Sequence, residues 1–319
     1  METFYQVLNA AVPVYLLITV GVAVRLAGVL TAEADASILR LLINLLMPSL
    51  ILVSLIGNEF ASDPVNLIAG PLLGYGTVAV GIGGAWVAGR LLGLPELPQR
   101  AFALAVGLYN YGYIPLPLVL ALFGPESLGV LFLFNTGTEL AIWTLGIMVL
   151  RGGHWRDGWR RIQPAPVLAV IVGVGINLLG LSAAVPGVLL SGLGMLGGCA
   201  IPLGILLVGA TACDLRGDIR LAGRGREVGT ALLVRMVLLP AVFLLLALLP
   251  GLTPALRDIL VIQAAMPSAM LPIILIKMEK GDVPLALTIV IASSVLSFFT
   301  IPFVIKLGLW LTGGSDSPA

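Results

Sequence analysis

The sequence predicts an all-α integral membrane protein of about ten transmembrane helices, in two inverted sets of five, with the fourth and ninth helices broken. Three observations predict it. The chain has 319 residues, of which 59% are hydrophobic and 10% charged, against about 25% charged in a typical soluble domain. Its basic residues gather on alternate connections between apolar stretches. Two proline-broken apolar segments recur at matching places in the two halves, with Pro115 and Pro272 157 residues apart and Gly124 and Gly281 at the same offset.

So few charges cannot cover a water-facing surface, and apolar stretches near 20 residues between short polar breaks read as helices crossing a bilayer. The first runs over about 5–27. Met1-Glu2-Thr3 lacks the basic start of a cleavable signal, and the run is long enough to span. The others of the first half fall near 36–57, 66–92, 100–122 and 127–150. Those of the second fall near 164–184, 188–212, 227–249, 255–277 and 283–311, the last long enough to be tilted or broken at Pro302. Runs such as Leu41-Leu42-Ile43 do not alternate as the strands of a membrane barrel would. Residues 1–150 form the first five-helix repeat, 151–163 a short basic linker, 164–312 the second repeat, and 313–319 a disordered tail.

Charge sets the orientation. The connections after spans one, three, five, seven and nine carry Arg25, Arg40, Arg90, Arg100, Arg151, Arg156, Arg160, Arg161, Arg216, Arg220, Arg224, Arg226, Lys277 and Lys280, which is 14 of the 17 basic residues. The other side holds only Arg257, and Arg235 and Lys306 fall inside spans, where they read as snorkelling from helix ends. The positive-inside rule makes the basic side cytoplasmic and places both termini outside. Five helices per half is odd, so the second half enters from the opposite face and any repeat is inverted. The net charge of +1 points to no nucleic-acid partner. Cys199 and Cys213 are fourteen residues apart, about 21 Å along a helix, too far for a disulfide. His154 sits alone among arginines in a loop and reads as solvated, and Asp214 reads as a solvated partner of the arginines beside it.

Interrupted apolar segments at corresponding positions point to a transporter binding site near the bilayer midplane. Pro115 and Pro117 remove two amide donors, as do Pro267 and Pro272. Freed carbonyls and the positive N-terminal ends of the following half-helices then become available to a ligand. Asn110 precedes the first break and Gln263 the second; both amides donate and accept. Gly112 permits close approach or unusual dihedrals, and Tyr109, Tyr111 and Tyr113 cluster there, Tyr109 and Tyr113 sharing a helical face while Tyr111 points elsewhere. Met266 and Ser268 flank Pro267 in the second break. In span five Asn135, Thr138 and Glu139 share a helical face. Glu139 is near mid-membrane and is readable as a proton site, a cation ligand or a structural acid bonded to a neighbouring helix. In span two Asn44 and Pro48 share a face, where freed carbonyls offer the Asn44 amide a partner or the pair lines a substrate path. No metalloprotease, nucleophile-elbow, phosphate-loop or metal-cluster pattern appears, so no enzyme is predicted.

The runs Asn44-Leu45-Leu46-Met47-Pro48, Tyr109-Asn110-Tyr111-Gly112-Tyr113-Ile114-Pro115-Leu116-Pro117-Leu118 and Ala264-Ala265-Met266-Pro267-Ser268-Ala269, with Ser293-Ser294-Val295-Leu296-Ser297 through Pro302, resemble the auxin efflux carrier family. That family includes plant PIN-type carriers and bacterial relatives linked to malonate and other organic acids. The resemblance implies a fold similar to the bile acid sodium symporters. It implies a scaffold of spans one, two, six and seven, a transport domain of spans three to five and eight to ten, and a crossing of the broken helices four and nine. Substrate would lie beside the crossing, at Asn110, Pro115, Asn135 and the stretch from Pro267 to Pro272, with Asn44 near the scaffold wall. A homodimer is implied in the same way. The long loop of plant members between spans five and six has no counterpart here.

The expectation is therefore a multi-pass carrier of the cell (inner) membrane, moving small organic anions by elevator-type alternating access, without a cofactor. A sodium-coupled symporter is the first alternative, with Asn110, Asn135, Glu139 and Gln263 as oxygen ligands. A non-transporting membrane sensor is the second, and the short loops argue against it.

Overall fold

The structure is a computed structural model, and it describes residues 2–152, 164–215 and 224–313. The basic linker with His154, Arg156, Arg160 and Arg161, the connection with Arg216 and Arg220, and the tail after Gly313 lie outside the described residues. Those described form helices throughout, with one isolated antiparallel bridge between Tyr109 and Ser268.

Helix α1 (Glu2–Leu26) leads to α2 (Ala32–Leu41), which Thr31 caps. A wide turn over Leu42–Leu46 joins α2 to α3 (Met47–Leu55). Pro48 has no N–H for the Asn44 carbonyl, and the chain widens just before it, so that Met47 N–H reaches back to the Leu42 carbonyl. After the short α4 (Glu59–Ser62), α5 (Pro64–Leu91) starts at a proline under the Asp63 carboxylate, which accepts from Val65 and Asn66 N–H at 2.7 and 3.3 Å. The fourth apolar segment is split into α6 (Glu96–Gly107) and α7 (Pro115–Phe123). Helix α8 (Glu126–Ala141) continues through a second wide turn, Ile142–Gly146, into α9 (Ile147–Arg151).

The second half begins with α10 (Pro164–Leu178), α11 (Gly187–Gly198) and α12 (Ala200–Leu215), the last two bending at Cys199. Helix α13 (Gly225–Leu233), a third wide turn over Val234–Leu238 and α14 (Leu239–Ala247) form one rod, and here Pro240 stands where Pro48 does after the first wide turn. The ninth segment is split into α15 (Pro254–Ala264) and α16 (Leu271–Met278). Helix α17 (Val283–Thr312) runs unbroken through Pro302. Neither Cys199 nor Cys213 is in a disulfide.

Seven of these continuous rods are long and apolar enough to cross a bilayer. Of the ten apolar segments read from the sequence, the other three are the two split ones and α10, which is too short. Large apolar side chains such as Leu72, Val188, Phe299 and Trp310 point outward, as a lipid-facing surface requires. The rod from Glu126 to Arg151 is the most enclosed of the seven.

Small residues set the packing. Helix α1 lies along α12, α3 against α10 and α11, and α5 along both α8 and α6. Where α1 meets α12, a Cβ on Gly21 would stand 2.3 Å from the Leu206 carbonyl oxygen, and one on Gly209 2.1 Å from that of Ile18. Where α5 meets α8, a Cβ on Gly74 would stand 1.9 Å from the Phe134 oxygen, and one on Gly137 1.8 Å from the Pro71 oxygen. Such contacts let backbones touch, and with no hydrophobic drive between helices in lipid this closeness holds a bundle together. Ion pairs gather at helix ends: Arg25 with Asp35 and Asp214, Arg100 with Glu96, Arg151 with Glu279, and Arg224 with Asp282. Asp214 thus pairs across to Arg25 on α1.

Gly137→Ala must push α8 off the Pro71 carbonyl and is expected to destabilise by about 1–3 kcal/mol. Gly83→Ala on α5, where a Cβ would meet nothing within 4 Å, is expected to be neutral or to gain up to about 1 kcal/mol. Thermal unfolding in detergent checks this pair, and equal midpoints would contradict the packing.

Candidate functional site

The two split segments meet each other. Helix α6 stops at Gly107, which lies so close to α5 that a Cβ there would stand 2.6 Å from Ile82 N. Pro115 and Pro117 then open α7 at its first turn, where missing N–H groups cost nothing. Residues 108–114 between them are extended or bent, and so are 265–270 between α15 and α16. The Asn110 N–H donates to the Pro267 carbonyl at 2.8 Å, and the Ala269 N–H donates to the Leu108 carbonyl at 2.9 Å. The broken backbones thus satisfy each other as a two-rung antiparallel bridge. Each half-helix, α7 and α16, begins beside this crossing.

Side chains from α8 brace it. Asn135 donates through Nδ2 to the Tyr111 carbonyl at 2.9 Å and accepts at Oδ1 from Gln263 Nε2 at 3.4 Å, tying the first break to α15. Gln263 is fully buried and its Oε1 has no partner. Asn110 is buried, and its Oδ1 caps the approach to α7 weakly, 3.5 Å from Ile114 N. One turn further along α8, Thr138 Oγ1 lies 3.2 Å from the Tyr109 hydroxyl, which is also 2.7 Å from Thr77 Oγ1 on α5. Glu139 is gripped from two sides, by the Tyr111 hydroxyl at 2.5 Å and by Trp143 Nε1 at 2.9 Å. Tyr111 therefore joins its carbonyl to Asn135 and its hydroxyl to Glu139, one turn apart on the same helix.

The structure brings together Asn110, Tyr111, Asn135, Thr138, Glu139, Gln263, Pro267 and Ser268 through these bonds and the bridge. Pro115 and Pro272 sit in the opening turns of the half-helices, and Met266 is buried beside the bridge. The Tyr113 ring lies where a Cβ on Gly204 of α12 would be, 2.0 Å from Cε1. Asn44 is not joined to the group: it is exposed, and its amide donates to the Arg40 carbonyl of its own helix at 2.9 Å.

Three expectations are corrected. Tyr109 and Tyr113 do not share a helical face, because the segment between them is not helical; Tyr109 is buried among α5, α8 and Phe243, and Tyr113 meets α12. Gly112 has no positive φ and no close neighbour, so neither reason for a glycine operates there, while Gly124 does need its φ of 82° to end α7. Arg235 does not snorkel. It is fully buried, and none of its three nitrogens has a hydrogen-bond partner. It lies ten residues into its rod, too deep for its side chain to reach an end. Its guanidinium carbon stands 5.4 Å from the Tyr109 ring centroid and 5.5 Å from that of Phe243. Two desolvated cation–π contacts contribute about 2 kcal/mol each, whereas an ion in such a place costs several kcal/mol before its donors are counted. Trp143 was also missed, although its i+4 spacing from Glu139 signals the contact. Thr77 carries no signal short of the fold.

Comparisons with known proteins point to membrane transport. The family described as membrane transport protein matches the chain twice, over residues 6–157 and 154–305, so that each half matches by itself. A protein of Methanothermobacter thermautotrophicus named as an uncharacterized transporter is 30% identical over 297 residues, covering 91% of this chain and 94% of that protein. Another uncharacterized transporter, from Methanocaldococcus jannaschii, is 24% identical over 309 residues, covering 93% of this chain and 95% of its own length. With its apolar rods and its paired broken helices, the chain is a multi-pass membrane protein and belongs to the membrane transport protein family, that of the auxin efflux carriers.

Proposed function

We propose that this protein is a secondary transporter of small organic anions, carboxylates of the malonate or auxin type among them, working by elevator-like alternating access. The observation that carries the reading is the antiparallel pairing of two broken helices, each followed by a half-helix that begins at the crossing. Half-helix N-termini favour anionic groups. The amides of Asn110 and Asn135 supply neutral donors there, with Tyr111, Tyr113, Thr138, Glu139, Gln263, Met266 and Ser268 shaping the surroundings. In this reading the chain crosses the membrane ten times, the two split segments and α10 each counting once, as two inverted sets of five with both termini outside.

Packing supports a division into two bodies. Helices α1, α2–α3 and α10–α12 pack mainly among themselves and form the scaffold. Helices α5–α9 and α13–α17 form the transport domain around the crossing. Tyr113 on Gly204 and Tyr15 on Ser297, 2.7 Å apart, are contacts between the bodies that a sliding movement exchanges for others. Homodimerisation through the scaffold belongs to the same proposal.

Purified protein in liposomes is expected to take up labelled dicarboxylates or indole acids saturably. Asn110→Ala should weaken binding roughly tenfold or more, matching the ~1.5–3 kcal/mol of a hydrogen bond to a charged group, with little change in melting temperature. Folded wild-type protein that takes up none of these acids would sink the proposal, and an unchanged Asn110→Ala affinity would remove the site.

Sodium coupling is the second reading. Gln263 Oε1 favours it, as a buried acceptor without a partner beside Asn135. Sodium should then raise the melting temperature saturably relative to choline, and Gln263→Ala should abolish that response. Identical curves in both salts would leave the transporter without a sodium site.

A further inference from the structure

Arg235 answers to none of the roles given above. It lies on the wide turn Val234–Leu238, buried in the transport domain, with Nε, Nη1 and Nη2 all unpartnered. Two aromatic rings border the guanidinium. The Tyr109 and Phe243 rings meet edge to face at 5.4 Å, and the guanidinium carbon stands about equally far from both, at 5.4 and 5.5 Å. Aromatic rings attract the charge but accept none of the in-plane N–H bonds, of which a guanidinium has five.

A second buried group, on the crossing itself, is also unpartnered. Ser268 is 1% exposed and its Oγ has no hydrogen bond. Ser268 stands opposite Tyr109 in the antiparallel bridge, and directly opposed residues project their side chains to the same face. The Ser268 hydroxyl and the ring that Arg235 approaches therefore leave the crossing on one side. Asn110, next along the strand, leaves it on the other, toward α7.

We propose that Arg235 holds a small anion on the Tyr109 face of the crossing, with the Ser268 hydroxyl as a further donor, at a site separate from that of Asn110. An anion meets both needs of the buried guanidinium, because it balances the charge and accepts in-plane hydrogen bonds. The planar fork suits a carboxylate best and accepts a halide. The wide turn has a function here, since the extra residue it inserts sets the direction in which Arg235 leaves its helix.

The test is the melting temperature of the full-length purified protein titrated with chloride or acetate, at constant ionic strength against gluconate, a bulky, strongly hydrated reference anion. Saturable stabilisation of the wild type, lost in Arg235→Gln and kept in Asn110→Ala, supports the proposal. If chloride alone acts, the site holds an inorganic anion. If acetate acts and a transported carboxylate competes with it, the site holds the carboxylate of an organic acid; either result supports it. No anion response in the wild type, a response kept in Arg235→Gln, or one lost in Asn110→Ala overturns it. Should Arg235→Gln fail to fold, Arg235→Lys decides: it keeps the charge without the fork, so half-saturation should rise about tenfold, with acetate losing more than chloride. Unchanged half-saturation and selectivity in Arg235→Lys overturn the proposal.

Discussion

The fold depends on one constraint: inside a bilayer every backbone N–H and C=O must find a partner within the protein, at a cost of several kcal/mol for each that does not. Two proline-broken helices violate it separately and satisfy it together. The Asn110 and Ala269 N–H groups and the Leu108 and Pro267 carbonyls close two rungs between the breaks. The next orphan, the Tyr111 carbonyl, is taken by Asn135. Once those bonds are made, Tyr109 is fixed against Thr77 and Thr138, and Tyr111 is fixed over Glu139. The site is a by-product of backbone accounting, which is why its side chains come from α8 and α15 rather than from loops.

The rest of the architecture places those helices. Glycines at Gly70, Gly74 and Gly137 bring α5 and α8 into backbone contact, so that α8 runs close under the crossing. Gly81 and Gly107 do the same for α5 and α6, at the point where α6 ends. The wide turns before Pro48 and Pro240 absorb a missing amide without breaking the rod. Proline thus has three outcomes in this chain: a regular helix that runs on, as at Pro13, Pro71 and Pro302, a widened turn where the helix continues, and a full break where a second broken helix waits to pair.

Much of this was legible in the residues. Prolines in apolar runs at one offset locate both breaks, and the spacing of Asn135, Thr138 and Glu139 puts them on one face of an actual helix. What was not legible is long-range. Nothing local says that Leu108 and Asn110 pair with residues near 267–269, and helical spacing misplaced Tyr113 because the break removes the helix that the spacing assumes. Asn44 shares a face with Pro48, but a shared face does not say which carbonyl its amide meets, and it turns back to the Arg40 carbonyl of its own helix. The rule for arginines near helix ends does not apply to Arg235, which lies too deep in its rod. The rule fails because a long side chain snorkels only when water lies within its reach.

The central claim is that the crossing carries an organic anion from one side of the membrane to the other. Counterflow tests it most directly. Liposomes containing the protein are loaded with an unlabelled dicarboxylate and diluted into a trace of the labelled acid. An alternating carrier predicts transient accumulation of label above its equilibrium level, followed by decay as the internal pool runs down. Simple monotonic equilibration, or no entry of label into liposomes holding folded protein, would contradict the account.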